Sequence, residues 1–380
     1  MADWTGLDGV VAMAIAEHRI VGSVIRICKD GQLVYANTAG LHDREAGIAM
    51  RDDAIFRLAS FTKPLVAATA LAMIEKGLLR LDQPVTDVLD YFTPALTDGS
   101  RPMITMAHLL THTGGIGAGG PAFDKAGVSG GMSDTDLSLH DNLRRLATVP
   151  LVHTPGEGWV YGKGMDVMGG VLASIHGGSL DDAVCHYVTG PLGLSDTGFF
   201  VSDASRLGPA YADNPGGAPT RMTGSTFVPG RGGSGGVTFF PDRVFNPRSF
   251  QSGGSGGVGT AADFMAFLET LRTGGGSILS PATMAMATQN QIGSVVREPG
   301  SAFCFVAALV TDPKAADTPQ PPGTYEWGGI YGHRWFVDPI NKLSVVMMSN
   351  TANECCSGPF PKAVRNAIYA DLRIEPKPPS

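Results

Sequence analysis

The chain has 380 residues, too many for a small stapled domain and enough for one large α/β domain with an insertion, or for two domains. Hydrophobic residues make up 43% and charged residues only 17%, below the ~25% of an average chain, which argues against a charge-rich disordered protein and a coiled coil. The net charge is −7 and the longest basic cluster is Arg144-Arg145, so no nucleic-acid partner is expected.

The N-terminus reads Met-Ala-Asp-Trp, with an acid where a signal peptide needs Lys or Arg. The early apolar run from Val10 to Ala16 stops at Glu17, far short of the ~20 residues that cross a bilayer. A cytoplasmic protein with no membrane partner is expected. Residues 9–19 carry helical periodicity. Two apolar runs, 24–28 and 33–36, flank Lys29-Asp30-Gly31, a strong hairpin signal. Residues 56–59 read as extended, and 61–76 as an apolar helix ending at Lys76-Gly77, where Gly suits the left-handed cap.

From 81 to 235 the texture changes. Helical pieces at 106–112, 138–148, 164–176 and 180–190 are strung between Gly/Pro loops. Strands return at 302–311, 323–330, 333–338 and 342–349, and a helix at 361–372 closes the chain. Strands at both ends with helices between predict an α/β fold. Its antiparallel sheet, of at least five strands, comes from residues 1–80 and 236–380 and is flanked by helices. Residues 81–235 form a mostly helical insertion, with the active site between the two parts.

Five cysteines lack metal-site spacing: Cys28, Cys185 and Cys304 are isolated and Cys355-Cys356 are adjacent. Reduced thiols, no metal and no organic cofactor are expected. His108 and His112 are four apart, but Leu109 stands where the H-E-x-x-H zinc motif needs its acid, so capping or core hydrogen bonding is the expected use.

The sharpest local signal is Ser60-Phe61-Thr62-Lys63, the only S-x-x-K in the chain. On a helix the two polar side chains share one face. At the helix start the macrodipole favours the negative charge that a nucleophilic serine develops. Pro64 fits the first turn, whose N–H groups lack intrahelical partners. Gly-x-Ser-x-Gly occurs at Ser129, Ser234 and Ser255, but no apolar strand run directly precedes any of them, as a nucleophile elbow requires.

The stretch from Phe56 to Ala67 resembles the nucleophile helix of the serine β-lactamase-like family, which holds class C β-lactamases, D,D-peptidases and family VIII carboxylesterases. Four more segments are similar and in order: Thr105–Ile116, Pro155–Asp166 with Tyr161, Gly256–Asp263 and Trp327–Asp338. The resemblance implies that Ser60 is the nucleophile and that Lys63 and Tyr161 share the proton work. It places an oxyanion hole at the N–H groups of Ser60 and Ile330, with Trp327, Gly328 and Gly329 near the substrate; His333, which follows that strand, either touches substrate or packs as a strand residue. Burial lowers the pKa of a lysine and a neighbouring cation that of a tyrosine, and either route frees a base near neutral pH; which of the two takes the proton stays open.

Two positions depart from the β-lactamase pattern. Lys163 stands where those enzymes carry Asn, and Trp327-Gly328-Gly329 replaces their Lys-Thr-Gly. The second triplet is typical of the family VIII branch. The function so implied is hydrolysis of small carboxylic esters through a Ser60 acyl-enzyme. A β-lactamase, an amidase or peptidase, or an acyltransferase would use the same intermediate. A penicillin-binding module would acylate with little turnover.

Overall fold

The computed structural model describes residues 3–374 except 134, 215 and 231–234. Helix α1 (Thr5–Ala16) leads into strands β1 (Gly22–Lys29), β2 (Gln32–Asp43) and β3 (Ile48–Ala49). Asp30 and Gly31 join β1 to β2 with φ of 52° and 80°, the left-handed pair that an Asp-Gly hairpin turn supplies. Helices α2 (Thr62–Glu75), α3 (Met106–Thr111), α4 (Gly164–His176) and α5 (Ala261–Arg272) follow. The chain ends in β4 (Ser301–Phe303), β5 (Ala308–Val310), β6 (Tyr325–Gly329), β7 (His333–Asp338), β8 (Leu343–Ser349) and α6 (Pro359–Asp371).

Strands β1 to β8 form one antiparallel sheet in the order β4-β5-β6-β7-β8-β1-β2-β3. The two ends of the chain therefore meet in its middle, where Ser23 to Lys29 pair with Ser349 to Leu343. Side chains alternate between faces as the strand period of two requires. Ile25, Ile27, Val345, Met347 and Phe336 pack with α1 and α6. Val24, Val346, Met348, Trp335 and Val337 pack on the other side with α2 and α5. Buried on both faces, β8 reads as an almost unbroken apolar run. Every residue of α2 from Thr62 to Met73 is buried, so this helix lies inside the fold. Each of its large apolar side chains, such as Leu65, Val66 and Leu71, stabilises by about 1.5–3 kcal/mol. That burial fixes the helix that presents Ser60 and Lys63.

Several elements differ from the sequence reading. The strand expected over 302–311 is the hairpin β4–β5, reversed between Cys304 and Ala307, where Cys304 N donates to Ala307 O at 2.9 Å. Its turn residues Cys304 to Ala307 are all buried and apolar, so the reversal carries no polar turn signal. The helix expected over 180–190 is Leu180–Val184 followed by a single π turn, Cys185–Thr189. Residues 81–235 also hold strands. Tyr211–Ala212 pairs in parallel with Thr351–Ala352, and Thr226–Pro229 pairs with Gly236–Phe239. The expected division at 235/236 thus runs through a β-ribbon.

Candidate active site

The turn that carries Ser60 is built from backbone contacts. Phe56–Arg57 pairs with Val258–Gly259, and Leu58 N donates to Gly257 O at 2.9 Å. The strand then breaks at Ala59, which sits at φ 45°, a conformation a side-chain-bearing residue adopts only when its surroundings impose it. Thr62 Oγ1 donates to Ala59 O at 2.7 Å and accepts from Gly257 N at 2.9 Å, closing the turn. Ser60 leaves it just ahead of α2, with Lys63 one turn on.

Three side chains meet there. Ser60 Oγ lies 2.5 Å from Tyr161 Oη, and Lys63 Nζ donates to Ser60 Oγ at 3.0 Å. The ammonium also stands 4.7 Å from the centre of the Tyr161 ring. Tyr161 is brought in by an irregular segment: Val160 N donates to His112 O and Lys163 N to Gly117 O. Gly162 permits that approach, because a Cβ there would lie 1.9 Å from Ile116 O.

A polar chain stands behind Lys63. Its Nζ donates to Gly254 O at 2.6 Å, and Gly254 N donates to Asp166 Oδ1 at 3.2 Å. Ser252 Oγ also donates to that oxygen. Asp166, on the first turn of α4, is buried, and its other oxygen lies 3.8 Å from Lys163 Nζ. The carboxylate so ties the 252–255 turn to α4 and aims the Gly254 carbonyl at Lys63. A Cβ at Gly253 would lie 2.3 Å from Met165 O, so the turn needs its glycine.

The far side of Tyr161 is aromatic. Trp327 of β6 lies 5.4 Å away between ring centres, His112 at 4.9 Å and Trp159 at 6.4 Å. Phe303 packs against Trp327, Trp159 and His112. Burial, and secondarily the nearby Lys63 and Arg297 charges, push the His112 pKa down to about 3, so its imidazole is neutral. The Arg297 guanidinium stands 5.1 Å from the centre of the Trp159 ring and 5.5 Å from that of Trp327.

The other expected site residues fall in varied places. A Cβ on Gly329 would lie 2.5 Å from Leu58 O, so the end of β6 presses directly on the Ser60 turn. Ile330 follows and packs in one cluster with Ala59 and Tyr331. Gly328 faces away, towards Cys356 on the opposite side of the sheet. For His333 the substrate contact is corrected and the packed reading holds: it is 1% exposed, with Nε2 held 2.8 Å from Arg57 O and its ring edge-on to Phe56 and Phe61. It supports the strand beneath the turn and offers no face to a substrate.

The remaining candidates have structural partners. His108 closes a capping box with Thr105 at the start of α3. Ser129 N donates to Asn142 Oδ1 at 2.8 Å, and Ser255 lies in the turn that holds Lys63. Ser234 falls outside the described residues. Sequence reasoning assigned no role to Asp166, Trp159 or Arg297. The first two lie within the Pro155–Asp166 segment, whereas Arg297 belongs to no motif.

A family model described as Beta-lactamase matches residues 7–356. The chain belongs to the β-lactamase family. Esterase EstB of Burkholderia gladioli is 44% identical over 373 residues, covering 96% of this chain and 94% of that protein. The lovastatin esterase of Penicillium rubens is 27% identical, with coverage of 89% and 90%. A solved structure described as EstCE1, a hydrolase with promiscuous acyltransferase activity, superposes with a TM-score of 0.92 at 40% identity, covering 96% of this chain and 97% of that one. Simvastatin synthase LovD from Aspergillus terreus, at 21% identity and a TM-score of 0.75, shares the fold; 98% of this chain and 100% of that one are covered.

Proposed function

We propose that this protein is a serine carboxylesterase that works through an acyl-enzyme on Ser60. The observation that carries the reading is the Ser60 hydroxyl within hydrogen-bond distance of both Tyr161 Oη and Lys63 Nζ. The likeness to EstB and EstCE1 supports an ester as substrate.

Tyr161, in its phenolate form beside the Lys63 ammonium, accepts the Ser60 proton as Oγ attacks the ester carbonyl carbon. The oxyanion settles against the N–H groups of Ser60 and Ile330, a reading supported by the close approach of Gly329 to the Ser60 turn. Tyr161 passes the proton to the departing alkoxide, and the alcohol leaves. A water then yields its proton to Tyr161 as its oxygen attacks the acyl carbon; the intermediate collapses, Tyr161 returns the proton to Ser60 Oγ, and the acid departs. Trp327 gives the acyl chain an apolar wall. The five thiols, all unbridged, suit a reducing cytoplasm.

Ser60→Ala tests the reading. Its kcat/KM on p-nitrophenyl butyrate should fall by about a thousandfold or more, with the fold retained by circular dichroism. Near-normal turnover would remove Ser60 as nucleophile.

A further inference from the structure

We infer that Arg297 recognises a carboxylate on the substrate, and that esters whose acyl chain ends in one are favoured. This rests on the esterase reading above and extends it to a substrate class. Uncharged groups account for the rest of the aromatic wall beyond Tyr161: Trp159, Trp327, Phe303 and neutral His112. Arg297 is the cation set against it, over the rings of both tryptophans. Only 10% of its side chain is exposed, so its charge is poorly screened by water.

Its protein partners leave the guanidinium under-used. Nη1 donates to Ser301 Oγ at 2.5 Å and lies 3.1 Å from Glu298 Oε2. Nε is buried with no acceptor, and among the described residues no acceptor is bonded to Nη2. A buried guanidinium with unfilled donors gains from an anion that brings its own two oxygens. Glu298 is a weak competitor, because 63% of its side chain lies in solvent, where an ion pair is worth little.

Position sets the substrate class. Trp327 neighbours both Tyr161 and Arg297, 5.4 Å from the first and 5.5 Å from the second. An acyl chain bound to Ser60 and running along Trp327 would bring its far end to the cation. The class that fits is the monoester of a dicarboxylic acid, with ester and carboxylate at opposite ends of an apolar chain. The β-lactamase pattern has a cation on the last strand; here the cation reaches the wall from a loop.

The test compares monoethyl adipate with ethyl hexanoate, and monoethyl suberate with ethyl octanoate, by pH-stat titration at pH 7 on the full chain. The readout is the ratio of kcat/KM for the charged ester to that for its neutral counterpart. Arg297→Gln should lower the ratio by about 10- to 100-fold, the scale of a charge-assisted hydrogen bond. Glu298→Gln, which removes only a weak competitor, should raise it by about twofold at most. Added salt should depress the wild-type ratio. If Arg297→Gln lowers both esters equally, the arginine is structural and the inference fails. Should that variant not fold, a wild-type ratio of one or less overturns it equally. Absence of Ser60-dependent turnover on the neutral esters would overturn the esterase reading, and this inference with it.

Discussion

Gly329 and Gly328 are neighbours on one strand with opposite expected sensitivities. An alanine Cβ at 329 would lie 2.5 Å from Leu58 O, with His333 Cδ2 at 3.1 Å and Phe61 Cδ1 at 3.2 Å. Carbon atoms in folded proteins essentially never sit closer than 3.0 Å in such a contact, so Leu58 O must move by at least half an ångström. That carbonyl belongs to the turn of Ala59 and Ser60, and the Cβ also pushes Ile330 the other way. Misplacing a reacting group by up to 1 Å costs about a hundredfold. Gly329→Ala should therefore lower kcat on p-nitrophenyl butyrate by 10- to 100-fold on that scale, with KM much less affected. At Gly328 the closest atom is the Cys356 Sγ at 2.9 Å, the end of a side chain that can rotate, on the face away from Ser60. Gly328→Ala should stay within about threefold of wild type, as expected of a change outside the reacting geometry. Stopped-flow measurement of the p-nitrophenol burst separates acylation from deacylation in both variants. If Gly329→Ala acylates at the wild-type rate, β6 does not set the geometry around Ser60, and the proposed oxyanion role of Ile330 falls with it.

Tyr161→Phe and Lys63→Ala should each cost about a thousandfold in kcat, and the double variant little more, because the pair handles one proton; losses that multiply would make one of them only structural. Asp166→Ala should lower kcat by about 10- to 100-fold by releasing the Gly254 carbonyl from Lys63, whereas Asp166→Asn keeps an acceptor and should retain most activity; equal kcat in wild type and Asp166→Ala would refute the link. Burial brings the His333 pKa down from 6.5 to about 4, so between these values the unfolded chain binds the proton and the folded chain does not. Stability from this residue is thus complete above pH 6.5 and declines as pH falls towards 4. The stability gap between wild type and His333→Gln, read from urea midpoints, should shrink by about 2 kcal/mol from pH 7 to pH 5; a constant gap would mean that His333 titrates normally.

What was readable in the sequence follows from what is local. The β1–β2 hairpin announces itself by Asp30-Gly31 because one turn geometry demands those residues. Helix α2 reads as apolar throughout because it is buried on every side. The Ser60 and Lys63 pair needs only helical spacing, and Tyr161 came with a stretch of familiar residues. The features that stayed hidden depend on close approach between distant segments. Nothing near Gly254 says that its carbonyl meets Lys63, 191 residues earlier. Nothing around Arg297 says that it lies over Trp159 and Trp327. His333 stands beside the active-site strand, but alternation along β7 turns its ring under the Ser60 turn, between Phe56 and Phe61. Face, not proximity in sequence, decides its role.

Lys163 shows the same distinction at the position where the β-lactamase pattern has Asn. A lysine two residues after Tyr161 looks available to bind a substrate anion. Its side chain is instead drawn to Asp166, three residues on at the start of α4, a spacing that puts both on one helix face. Asp166 is committed on its other oxygen to Ser252 and Gly254, so the lysine offsets a buried carboxylate that would otherwise be costly to desolvate. Lys163 is therefore tied to an Asp behind the site, and that Asp is tied through Gly254 to Lys63. The cation that faces the aromatic wall comes instead from Arg297, over the rings of Trp159 and Trp327.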